Sequence, residues 1–179
     1  ALALQLVEQG LVTDQVVLTV GYDLENLSDP ARRAAYRGEV VTDFYGRQLP
    51  KHAHGSESLP HYSSSASELV AAFSALFDRI VNPSLTVRRL ALSANHVLPE
   101  REAEKHTESY AQLSLFTDCA AEEAKRAEET ARRERERKLQ EATLVIKKKF
   151  GKNALLKGRS LLEGATGKGR NEQIGGHRA

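Results

Sequence analysis

Two periodicities divide the first half of the chain. Val16, Leu18, Val20 and Tyr22 alternate with Val17, Thr19 and Gly21, which predicts a strand over Gln15 to Tyr22 with one apolar face. Leu90, Leu92 and Ala94 alternate with Arg89, Ala91, Ser93 and Asn95, which predicts another over Leu85 to Asn95. Leu69, Phe73, Leu76, Phe77 and Ile80 recur at helical spacing instead. That helix has start and stop signals: Ser65 and Glu68 stand at capping-box separation, and Asn82-Pro83 ends it after Val81. Ala1 to Gln9 reads as the end of a helix, with Leu2, Ala3 and Leu6 on one face and Gly10 as its stop. His52 to Tyr62 is more weakly patterned and reads as an edge strand. Asp23 to Lys51 is mostly connection, with a turn or short helix from Asp29-Pro30 to Tyr36 and a short strand at Val40-Val41.

The order helix, strand, loop, strand, helix, strand over residues 1–97 predicts an α+β fold, a two-layer sandwich with two helices on one sheet face. Small and polar groups are left for the other face, which suits a surface meant to lie against something. Residues 1–98 form this domain, 99–118 a linker, 119–151 a charged helix and 152–179 a flexible, basic, Gly-rich tail. The helical pattern from Ala121 to Phe150 changes character partway. Up to Arg137 it is Ala, Glu, Arg and Lys, a solvated face held by opposite charges one turn apart. From Leu139 onward, Ala142, Val145, Ile146 and Phe150 form a stripe able to dock, beside Lys147-Lys148-Lys149.

Charge sharpens the division. Residues 1–118 hold 10 Lys and Arg against 15 Asp and Glu, while residues 119–179 hold 16 against 9. The second half is therefore the natural electrostatic partner of nucleic acid, and the first half is awkward for one. A lone Cys119 excludes an internal disulfide framework and fits a reducing cytoplasm. No apolar run approaches the roughly 20 residues of a membrane span. The chain has no Met and opens inside an amphipathic pattern, so it is expected to be the C-terminal part of a longer protein. His52, His54 and His61 lack the Cys or the carboxylate-flanked helical spacing of a metal site, and no metal is expected. Lys51, His52 and His54 are expected to line a polar or DNA-facing loop instead. Gly164 to Gly169 is not a phosphate loop, because Gly169 stands where Ser or Thr is needed and no strand precedes it.

The linker holds the sharpest short motif, Gln112-Leu113-Ser114-Leu115-Phe116. Its apolar side chains have no sequence neighbours to bury them, so they are suited to fill a pocket elsewhere while Gln112 bonds the rim. The competing reading is a short strand returning to the chain's own core. The pattern resembles the sliding-clamp-binding motif of bacterial replication and repair proteins. Together with Val20-Gly21-Tyr22, Phe77-Asp78-Arg79-Ile80-Val81, Val87-Arg88-Arg89-Leu90, Ala94-Asn95-His96-Val97 and the Gly175-Gly176-His177 tail, it resembles the little finger of Y-family translesion DNA polymerases, of the UmuC/ImpB type found in Gram-positive bacteria.

The resemblance implies translesion synthesis, with the little finger gripping DNA mainly at its phosphates. By it, Arg89, Ser93, Asn95 and Thr19 become the main DNA-contact candidates, joined by Lys51, His52 and Arg88. The implied partners are DNA, the sliding clamp and the rest of the polymerase chain. The family's first little-finger strand is missing, as are the palm carboxylates that hold two metal ions. The chain is therefore expected to carry no cofactor and to polymerise nothing, although the parent polymerase would need Mg2+. The rival reading from another class is a stand-alone adaptor that binds the clamp without belonging to an enzyme.

Overall fold

Leu18, Leu76, Val16 and Val20 are the largest apolar side chains fully removed from solvent, and they lie where one strand meets one helix. The computed structural model describes residues 2–106, 119–174 and 177–178. The chain divides near residue 112 into two compact units.

The first unit begins with α1 (Leu2–Gln9), stopped by Gly10 at a φ of +65°, and β1 (Leu11–Tyr22). Two short helices follow, α2 (Glu25–Ser28) and α3 (Pro30–Ala35), then a small hairpin of β2 (Val40–Thr42) and β3 (Gln48–Pro50). Next come β4 (Ala53–Ser63), α4 (Ala66–Ile80), β5 (Val87–Asn95), β6 (Leu98–Pro99) and α5 (Glu100–His106). The strand predicted over 15–22 thus starts earlier, and the domain continues past residue 98 through β6 and the buried Ala103 of α5. Ser65 caps α4 by accepting a hydrogen bond from the Glu68 amide. The Glu68 carboxylate meets His61 of β4 at 3.0 Å, fixing the start of α4 to its neighbouring strand.

The main sheet is antiparallel in the order β4-β1-β5, with β6 pairing the first residues of β1. β1 is the centre because its alternation is the strongest, with one face made wholly of Val, Leu and Tyr. Leu18, Val20, Tyr22 and Leu76 form one cluster with Phe73, Phe77 and Ile80 around them. Leu6, Val16 and Leu69 form another, joined by Leu2, Ala3 and Ala94. Both helices therefore cover one sheet face, as the sequence predicts. The cover is uneven. Leu90 and Leu92 pair with Val20 and Leu18 and share their face, yet are 48% and 49% exposed. α4 lies over β1 and β4, leaving the middle of β5 half bare.

β4 reads weakly in sequence because its helix-side residues include Ala53, Gly55 and Glu57. Gly55 is required by close approach: a Cβ there would lie 3.1 Å from both Ile80 Cγ2 and Leu76 Cδ1. Gly55→Ala is expected to cost about 1 kcal/mol by overpacking, seen as a lower urea midpoint. An unchanged midpoint would mean that α4 shifts freely on the sheet.

A bulge at Asp14 separates the two pairing registers of β1. Across from it His96 adopts a φ of +49°, and the two side chains meet at 3.0 Å. The Thr13 hydroxyl, fully buried, bonds the Asn95 and Gln15 carbonyls at the end of β5, and His96-Val97 is the kink that separates β5 from β6.

The second unit contains α6 (Cys119–Phe150), matching the predicted charged helix, with Leu139, Val145 and Phe150 exposed. Gly151, at a φ of +91°, ends it by donating to the Lys147 carbonyl. The segment predicted as a flexible tail contains a 3-10 turn (Gly158–Leu161), α7 (Gly167–Asn171) and a minimal hairpin of β7 (Gln173–Ile174) and β8 (His177–Arg178). Asn153 ties it locally, donating to the Lys168 carbonyl and Glu172 and accepting from Asn171.

Candidate nucleic-acid interface

The residues of β1 that alternate with its buried set point to the sheet's other face, and the pairing register extends that face across three strands. Ser58, Gln15 and Asn95 form one row, Ser56, Val17 and Ser93 the next, and His54, Thr19 and Ala91 a third. Gly21 and Arg89 form the last pair. Two side-chain bonds organise the surface: Thr19 Oγ1 meets His54 Nδ1 at 2.9 Å, and Asn95 Nδ2 donates to Gln15 Oε1 at 3.2 Å. Gly21 adds no side chain beside Arg89, which leaves room for a partner's backbone to approach.

None of these positions carries a carboxylate, which changes the meaning of the unit's acidic balance. Asp14 faces His96, Asp23 faces Arg88, Glu39 faces Lys51, Asp43 faces Arg47, Glu57 faces Arg79 and Glu68 faces His61. Six of the unit's acids thus meet a cation or an imidazole locally. Arg89 has no acidic partner among the described residues. Hydroxyls, amides, an imidazole and a guanidinium on a flat surface can donate to phosphate oxygens without reading base identity.

The structure brings four predicted contacts together: Thr19, Arg89, Ser93 and Asn95 all lie on this face. Arg88 does not join them. The register shifts at Gly21/Tyr22, leaving Arg88 in a bulge where its guanidinium lies 3.7 Å from Asp23. Lys51 is drawn to Glu39 at 2.7 Å, and His52 lies in the two-residue link between β3 and β4. Gln112, Leu113, Ser114, Leu115 and Phe116 lie outside the described residues. Gln15, Ser56 and Ser58 were not singled out from sequence, and His54 moves from an expected loop onto a strand. The alternation of β4 carries that signal, but serines and a glycine make it faint.

The small hairpin adds a different feature. Asp43 accepts hydrogen bonds from the amides of Tyr45 and Arg47 and from Arg47 Nε, which closes a tight loop with Gly46 at a φ of +76°. The bond from the Arg47 side chain, with those amides, holds the Asp43 carboxyl below the usual carboxylate range. A lowered pKa means that this brace is present above the ordinary carboxylate pKa and is lost as pH falls through the lower, folded value. Among the described residues no three His, Cys, Asp or Glu side chains gather as a metal site, and no helix is long and apolar enough to cross a membrane.

The unit is thus an antiparallel sheet with helices on one face and mostly hydrogen-bonding side chains on the other. The model of the impB/mucB/samB family C-terminal domain matches residues 1–115, and the chain belongs to that family. The match marks it as a C-terminal region of Y-family polymerase type. No curated protein and no solved structure matches the chain.

Proposed function

We propose that this chain holds DNA for a translesion polymerase and tethers that polymerase to a sliding clamp. The observation that carries the first part is the open sheet face, whose paired rows hold hydroxyls, amides, an imidazole and Arg89 but no carboxylate. Contacts from Arg89, Ser93, Asn95, Thr19 and His54 to phosphates would tolerate a distorted base, because they carry no sequence information directly. The second part rests on Gln112 to Phe116, whose anchors suit a pocket on another protein. A tether raises the effective concentration at the primer end without new chemistry. In this reading the chain itself catalyses nothing, and its partners are DNA, the clamp and the rest of the polymerase.

Each part has its own test. Arg89→Ala/Asn95→Ala is expected to weaken duplex binding by a similar factor whatever the sequence, and loss of Arg89 should lower the salt slope by about one. Undiminished binding by that variant would place DNA elsewhere. For the tether, micromolar binding to a purified bacterial sliding clamp is expected and should disappear in Leu115→Ala/Phe116→Ala. Equal binding by both chains would return the motif to a structural role.

A further inference from the structure

The β2–β3 hairpin exposes what most folds hide. Phe44 is 95% exposed and Tyr45 77% exposed, at the tip of a loop whose backbone is braced by Asp43. The two rings meet edge to face with centroids 5.6 Å apart, and the Arg47 guanidinium lies 5.0 Å from the Tyr45 centroid. Neither aromatic belongs to the apolar clusters that hold the unit together. Two large rings presented on a rigid turn have no folding role to explain them, and they lose little freedom when a partner covers them.

The surrounding charge points to the partner. The connection from Asp23 to Lys51 holds five cations and five acids. Arg47 and Lys51 are held by Asp43 and Glu39, while Arg32, Arg33 and Arg37 meet no acid among the described residues. The same half of the chain as a whole is net acidic, with 10 cations against 15 acids. Half of its cations are thus gathered in one short excursion that also carries the exposed rings. Cations to follow a phosphate backbone, with aromatic faces between them, are the elements of a single-strand platform, where any base can stack. A pocket on another protein would be served by the rings alone and has no need of the arginines.

We infer that the Phe44-Tyr45 tip is a second nucleic-acid site, which stacks unpaired bases of single-stranded DNA beside the duplex held by the open sheet face. This rests on the proposed DNA-holding role but uses different residues, so the two can fail separately. The site is reached through Lys51 and His52, which join the hairpin directly to β4 of that face.

The test uses the full chain, a labelled oligothymidylate and a blunt duplex, read by fluorescence anisotropy at fixed salt. Phe44→Ala/Tyr45→Ala removes the rings, and Phe44→Leu/Tyr45→Leu keeps apolar bulk without an aromatic face. Both positions are exposed, so each variant should melt in urea at the wild-type midpoint. Both are expected to lose about 10- to 100-fold in affinity for oligothymidylate. Duplex affinity should be unchanged. Wild-type affinity for oligothymidylate in either variant would overturn the site, and retention by the leucine variant alone would make the tip an apolar contact instead. If duplex is held while oligothymidylate is not, the hairpin inference falls and the sheet-face role stands. If oligothymidylate is held through the tip and duplex is not, the hairpin site stands as a single-strand site and the sheet-face role falls. Binding of neither probe would overturn both.

Discussion

Leu76→Ala is expected to lower stability by about 3 kcal/mol, the largest effect of any single truncation in the first unit. Leu76 is 0% exposed and packs with Leu18, Val20 and Tyr22 under the middle of α4. The cost has two parts, the lost transfer of the side chain and the cavity left behind. Little can collapse into that cavity, because Gly55 beneath it has no side chain to extend. A domain of this size has only about 5–15 kcal/mol in total, and here the middle of β5 contributes less than it could. The measurement is a urea melt, with a lower midpoint and an unchanged slope. Leu92→Ala supplies the internal comparison: the same chemistry at a half-exposed position should cost less than half as much. Equal losses at both positions would mean that α4 is not seated as described.

Asn26→Leu is expected to cost about 2 kcal/mol despite adding apolar surface. Asn26 is fully buried in the connection after β1. Its Nδ2 donates to the carbonyls of Asp23 and Thr86 at 2.9 and 3.0 Å, and its Oδ1 accepts from the Thr86 amide at 2.9 Å. One side chain thus holds the end of β1 to the segment that enters β5. Leucine would fill the space but leave the Thr86 amide without its acceptor. The Thr86 and Asp23 carbonyls would keep only their bonds from the Asp23 and Asn26 amides. An unmet donor away from water carries the main penalty. Faster amide hydrogen exchange at Thr86 should accompany the lower urea midpoint. An Asn26→Leu chain as stable as wild type, with Thr86 still protected, would show that the backbone bond between Asp23 and Thr86 suffices.

These two sites differ in how visible they are in the amino-acid sequence. Leu76 belongs to a helical stripe that any reading of periodicity finds, and both β1 and α4 are legible for the same reason. Asn26 is one polar residue in the short α2, and its partner lies 60 positions away. No local pattern encodes that pairing. β4 falls between the two, since its alternation is present but Gly55 replaces a large residue where α4 comes close. Leu90 and Leu92 read as core from their alternation, and the sheet does turn them to the helix side. How far the helices reach across the sheet is a packing outcome, which strand-by-strand alternation does not contain.

The candidate interface divides the same way. Thr19, Arg89, Ser93 and Asn95 were legible because a strand's two-residue period assigns faces without any knowledge of neighbours. Arg88 entered through the resemblance alone: the same period sets it on the face opposite Arg89, and the bulge there leaves it beside Asp23. The chain's local order therefore determined α1, α4 and α6, its central strand, the charge difference between its halves and the linear motif at Gln112 to Phe116. All of these depend on residues close in sequence. Tertiary structure alone decided which acids meet which cations, leaving the open face free of carboxylates, and which rings remain in solvent at the hairpin tip. Those depend on strand register and helix placement, which bring together residues far apart in the chain.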